Sequence, residues 1–173
     1  MTTEHSLQRV DSVFWSKVVL EWELQSGTYG ENFSDHAVAS MPVLKDLAIG
    51  APYKDAGVFA AVDDDEVAAL MHVNTAFLPG YNGKVLRVRH IVLSPKFEFD
   101  EKIEVADYGA VLIKVFVGCV QLSFKEMPAD HIKFHMKSPA ERMFGQGFTD
   151  AMNEHEGFDQ VAMKGSWIYL SKT

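Results

Sequence analysis

The chain has 173 residues, 47% of them hydrophobic and 23% charged, the profile of one ordinary globular domain rather than a fibrous or disordered chain. Its formal net charge is −8, with acids scattered along the chain, which disfavours binding to the phosphate backbone of nucleic acid. The one cysteine, Cys119, has no partner for an internal disulfide and sits in a VFVGCV run where it reads as a small packed hydrophobe, so a reducing cytoplasm is the expected setting.

The first six residues, MTTEHS, lack the basic start and apolar core of a signal peptide. Apolar residues at Val10, Val13, Phe14, Val18, Leu20 and Leu24 recur near a helical period, and Gly27 reads as the stop. Trp15 and Trp22 fall seven apart on one face of this helix, as core or as cleft wall. Residues 34–49 read as a second helical region, with Ser40 as a candidate N-cap, Pro42 in the first turn and Gly50 past the end. Residues 50–53 then form a turn.

Residues 57–62 and 67–77 alternate as strands around the acidic turn Asp63-Asp64-Asp65-Glu66, a hairpin. Residues 78–83, LPGYNG, are dense in turn formers and lead to a third antiparallel strand at 85–95. Lys84, Arg87 and Arg89 place cations on or beside that strand, at spacings that read first as a solvated face and only secondarily as a phosphate site. Residues 110–124 suit either a strand, by their Val, Ile and Phe content, or a buried helix, by their length; the helix is preferred. The apolar run 108–124 is broken by Lys114 and Gln121 and is shorter than the roughly 20 residues a bilayer requires, so no membrane segment is expected. Residues 131–136 alternate as a short strand. Ser138-Pro139-Ala140-Glu141 matches a capping box with proline at the first helical position, so a helix starts there. A terminal strand covers 159–172. Nothing divides the chain, and residues 1–173 are read as a single domain.

Helix, helix, hairpin, third strand, long helix, strand, helix, strand is an order that resembles the GNAT superfamily of acyl-CoA N-acyltransferases. The third strand, LRVRHIVLSP at 86–95, resembles the family's central strand, and the ending EGFDQVAMKGSWIYLSK at 156–172 resembles its common close. The resemblance covers about residues 10–172 and makes the chain a divergent member. It implies an α/β (α+β) fold, with a mixed, mostly antiparallel central sheet flanked by helices. It also implies transfer of an acetyl or other acyl group from acetyl-CoA to an amine on a small molecule or protein. Splayed strands at 85–95 and 131–136 would hold the pantetheine through main-chain groups including those of Ile91, Val92 and Leu93. Tyr108, Gly109 and Ala110 would face the pyrophosphate.

The family's phosphate motif, Gln/Arg-x-x-Gly-x-Gly/Ala, works through main-chain N–H groups at a helix N-terminus. The corresponding stretch here, KFEFDEKIEVADYGA at 96–110, retains only Gly109. Glu98, Asp100, Glu101, Glu104 and Asp107 put negative charge there, each disfavouring an exposed phosphate by roughly 1 kcal/mol at close range, and Lys96 and Lys102 offset part of it. His90 is the candidate base, since a histidine titrates near neutrality without special tuning; a sheet-bound structural histidine is the competing role. The position of the family's proton-donating tyrosine falls on Asn153 or Met143, leaving Tyr108 or Tyr169 as substitutes by proximity alone. His131 and His135 on one strand face lie roughly 13 Å apart, too far for one metal ion. There is no serine-hydrolase elbow and no complete phosphate loop. The second reading is a non-catalytic protein on the same fold that acts through protein contacts, of the kind found among small virus-encoded proteins.

Overall fold

The computed structural model describes residues 6–50, 53–154 and 156–173. In chain order the elements are β1 (Leu7–Arg9), α1 (Ser12–Thr28), a 3-10 turn (Phe33–Asp35), α2 (Met41–Ile49), β2 (Ala56–Asp63), β3 (Glu66–Phe77), β4 (Lys84–Leu93), α3 (Lys96–Phe99), α4 (Val105–Leu122), β5 (His131–His135), α5 (Pro139–Asn153), β6 (Phe158–Lys164) and β7 (Trp167–Lys172). The strands form one sheet in the order β1-β2-β3-β4-β5-β7-β6, with β4–β5 the parallel neighbours and the other pairs antiparallel.

Each α-helical layer follows from spacing in the sequence. In α4 the buried positions Val111, Leu112, Val115, Phe116, Cys119 and Leu122 recur at three and four, so one stripe faces the sheet. Its opposite face carries Lys114, whose Nζ lies 2.6 Å from Asp63 Oδ1 at the hairpin tip. Phe116 meets Phe134 of β5 at 5.0 Å between ring centroids and Phe148 of α5 at 4.8 Å, which ties both helices to the strand between them. The other face of the sheet is covered by α1 and α2, and there the buried cluster joins Trp15, Val18, Trp22 and Leu44 to Val58, Ala60 and Leu70. That cluster reaches β4 only at Val92.

Two neighbouring residues of α1 fasten it to the start of β3. The Trp22 indole donates to the Val67 carbonyl at 3.0 Å, and Glu21 accepts from the Val67 amide at 2.7 Å. The buried stripe of α1 is therefore Trp15, Val18, Trp22 and Ser26, whereas Val13, Leu20 and Leu24, expected inside by their apolar character, face solvent.

The hairpin turns through Asp64 and Asp65 in the left-handed region (φ 46° and 65°), which short polar side chains tolerate and a two-residue turn requires. Several boundaries differ from the sequence expectation. The terminal strand is two strands, β6 and β7, because Gly165 adopts φ 60° and reverses the chain. The second helical region splits into the 3-10 turn and α2, and Ser40 occupies the N-cap position without a side-chain cap bond. The short β1 and α3 have no signature in the sequence. The turn expected at 50–53 lies partly outside the described residues.

Helix α4 starts five residues earlier than expected. With its last turn it makes an apolar stretch of 20 residues, Val105–Phe124, long enough by length and composition to cross a bilayer, where the sequence reading had it too short. Its apolar stripe is instead spent on the sheet and on α5.

Candidate active site

The site begins where β4 and β5 part. Their parallel pairing runs from Val85 opposite His131 to Val88 opposite Phe134 and stops, while β4 continues through residues 89–93 and β5 ends at His135. The parting coincides with a bulge. Between the pairs His72–Arg89 and Leu70–Val92, β4 takes three steps to the two of β3, and His90 carries the strain at φ 50°. An extra residue of this kind sharpens the local twist, which turns the outer end of β4 away from β5.

A cleft of about 210 Å³ opens beside this end of β4, lined by Ile91, Val92 and Leu93 of β4, Ser94 just past it, Tyr108 of α4, and Glu141 of α5. Ser94 is 1% exposed and its hydroxyl has no partner among the described residues. Phe97 and Tyr108 also line an adjoining cleft of about 330 Å³ with Asp100, Glu101, Glu104 and Phe144. A larger cavity of about 660 Å³ lies at the other end of the sheet, by Lys84 and Lys172, away from the strand parting.

The acids of the 96–107 loop mostly serve the loop itself. Glu98 pairs with His36 Nδ1, while His36 Nε2 donates to the Leu93 carbonyl at 2.9 Å. Asp100 accepts from the Tyr29 hydroxyl at 3.2 Å and the Lys102 amide at 2.9 Å. Glu104 and Asp107 close a capping box at the start of α4, with the Glu104 amide donating to Asp107 Oδ2 at 3.0 Å and the Glu104 side chain accepting from the Asp107 amide. α5 starts the same way, Ser138 Oγ accepting from the Glu141 amide while Glu141 accepts from the amides of Lys137 and Ser138. Both helix N-termini beside the cleft thus direct main-chain donors at carboxylates of their own.

The residues selected from the sequence divide accordingly. Ile91, Val92, Leu93 and Tyr108 converge on the cleft. Gly109 and Ala110 lie inside the helical ladder of α4. A side chain at Gly109 would meet the Phe144 ring at 2.5 Å, so the glycine is needed for the approach of α5. Gly109→Ala is expected to lower stability by about 1 kcal/mol, since the half-buried Phe144 ring can shift off its stack with Tyr108; thermal unfolding measures it.

His90 sits on the opposite side of β4 from the α4 core. Its Nδ1 accepts from Lys137 Nζ at 3.1 Å, and its ring lies 6.3 Å from that of His72. Burial, then Lys137, Arg89 and His135, push the His90 pKa below its usual value of 6.5. His72 is pushed down to about 4 by burial, then by His90, Arg89 and Arg87. The Tyr108 phenol is raised, by burial and then by Glu141, and stays protonated at neutral pH. His36, Lys137 and Ser94 were not singled out from the sequence. Only contact across 57 and 62 residues gives His36 its place, which no local pattern records.

No family model matches the sequence, and no curated protein matches it either. Solved structures do match. A probable acetyltransferase from Staphylococcus epidermidis aligns over 97% of this chain and 99% of its own, with a TM-score of 0.54 at 11% identity. The chain has the GNAT fold. Also similar are an N-acetyltransferase from Staphylococcus aureus Mu50 (TM-score 0.48, 8% identity, 96% of each chain) and a Bacillus subtilis acetyltransferase solved in complex with CoA (TM-score 0.48, 11% identity, 97% of this chain and 99% of that one). Within the GNAT fold of this chain, the cleft opens at the parting of the two parallel strands and Tyr108 bridges its two halves.

Proposed function

We propose that the protein transfers an acyl group from a coenzyme A thioester, such as acetyl-CoA, to an amine. The observation that carries this reading is the parting of β4 from β5 at the His90 bulge, which leaves the 91–93 end of β4 lining a cleft. A pantetheine is an extended amide chain, and the strand edge left free here, apart from the Leu93 carbonyl that His36 holds, offers it main-chain bonds of the kind a neighbouring strand would make.

In this reading the acceptor amine attacks the thioester carbon directly. The C–N bond forms, the C–S bond breaks, the amine proton passes to His90, and the thiolate takes a proton from the Tyr108 hydroxyl. His90 is neutral at working pH, the state a base must start from. Its Nδ1 lone pair is held by Lys137, so proton uptake requires that bond to open. The pyrophosphate would meet the wall of Asp100, Glu101 and Glu104 and helix ends already capped, which predicts weak coenzyme binding.

Calorimetric titration with acetyl-CoA tests the reading. A dissociation constant in the range of tens of micromolar to millimolar is expected. Absence of binding at millimolar ligand would reject acyl transfer and leave a non-catalytic protein on this fold.

A further inference from the structure

Beyond Val92, the sheet face formed by β4, β5 and β7 carries no member of the buried α1/α2 cluster among the described residues. Pairing puts Arg87 and Arg89 of β4, Lys133 and His135 of β5, and Tyr169 and Trp167 of β7 on this one face. All six are half-buried. In a chain of net charge −8, none of the three cations has a carboxylate partner among the described residues.

They rest on rings and on one another instead. Lys133 Nζ is 4.5 Å from the Trp167 ring centroid and 5.0 Å from that of Tyr169, and the Arg89 guanidinium is 5.8 Å from Trp167. Burial and then the neighbouring guanidiniums lower the Lys133 pKa, and no acid opposes them. In two directly paired residues a buried polar atom has no partner among the described residues: the donor Arg87 Nε and the acceptor Asn74 Oδ1. Like charges collected at such a cost, beside the unfilled Arg87 donor, lack a counter-ion.

We infer that this face binds the acid group of the acceptor, and that the acceptor is a small amine carrying a carboxylate or a phosphate. The inference rests on the acyl-transfer reading for the amine and on charge complementarity for the acid. Guanidiniums hold either oxyanion in a bidentate fork. Arg89 adjoins His90 and Arg87 lies roughly 10 Å from it along the strand, so one ligand can place its amine at His90 and its acid on the arginines. A polycationic acceptor would be repelled.

The test uses the full chain. With acetyl-CoA fixed, release of free CoA is measured for ω-amino carboxylates and aminoalkyl phosphates of two to six carbons, against alkyl amines of the same length. An advantage in kcat/KM of at least 10-fold for one acidic series is expected, and the better series identifies the group. Arg89→Gln should raise KM for the acid at least 10-fold with kcat within about 3-fold, and change KM for the alkyl amine of the same length far less, so that the preference for the acid is lost. Binding is also read without turnover from the indole N–H resonance of Trp167, which should move with the acidic amines and stay still in Arg87→Gln/Arg89→Gln. If acetyl-CoA fails to bind but the indole shift is present, acyl transfer falls and the anion site stands. Equal turnover of acidic and alkyl amines with no indole shift overturns the anion site, as does a shift with an oligonucleotide alone.

Discussion

Replacing Trp22 by alanine is expected to destabilise the protein by about 3–5 kcal/mol, the cost of emptying a fully buried aromatic site. Trp22 is 0% exposed, and its indole is the donor to the Val67 carbonyl at the start of β3. Alanine therefore opens a cavity between helix and sheet and also leaves a carbonyl without its donor, a further loss of order 1–3 kcal/mol where water cannot enter. For a chain of this length the sum lowers Tm by roughly 10 °C or more. Trp22→Phe separates the two parts, since it keeps most of the ring and removes only the N–H. Denaturant melts at constant m should rank wild type above Trp22→Phe and Trp22→Ala last; equal stability of wild type and Trp22→Ala would mean that α1 is not fastened to the sheet through this residue.

Loss of the His90 imidazole should reduce turnover by about 10²-fold or more. Asparagine is the better replacement, because position 90 lies at φ 50° and asparagine tolerates the left-handed region, whereas alanine there adds about 1–2 kcal/mol of backbone strain. The pH profile carries the sharper test. A base must be neutral to accept a proton, and the folded His90 pKa lies below 6.5, because of burial first and the Lys137 cation next. Activity should accordingly persist as pH falls through 6.5 and fail only as pH passes the lowered value. Lys137→Gln removes one cause of the lowering and releases Nδ1, so the acid limb should move toward higher pH. A limb unmoved by Lys137→Gln and a His90→Asn variant of wild-type turnover would together remove His90 from the chemistry.

Where local chemistry decides structure, the sequence was readable. The Asp63–Glu66 turn between alternating runs specified the hairpin, and Ser138 with Glu141 specified the start of α5, since each signal is complete within a few residues. The fold class followed from the order of such elements. The break between β6 and β7 rests on the two-residue turn Gly165-Ser166, a short signal inside a run that otherwise reads as one continuous strand.

The site was less legible. Ile91, Val92, Leu93 and Tyr108 could be placed by resemblance to a central strand and the helix after it. The bulge at His90 has no compositional mark, and the face shared by Arg87, Lys133 and Trp167 exists only once β4, β5 and β7 are neighbours. The loop acids were visible as charge. Their partners, His36 and Tyr29, come from residues far away in sequence, so a stretch that reads as repulsive toward phosphate is also one that holds the end of β4 in place.

The three residues of β1 also govern how exposed the edge of the sheet is while the chain folds. They pair with β2 from Leu7 opposite Ala61 to Arg9 opposite Phe59, and Arg9 reaches over the Phe59 ring to Glu126. Beneath them runs GVFAAV at 57–62, free of charge and proline, the kind of segment that adds to a like segment from another molecule when its edge is bare. With β1 in place that edge is short and ends in an ion pair. A chain shortened to begin at Val10 would bare the β2 main-chain groups that pair with β1 over Phe59–Ala61, and its first hazard would be strand-to-strand aggregation rather than loss of the cleft.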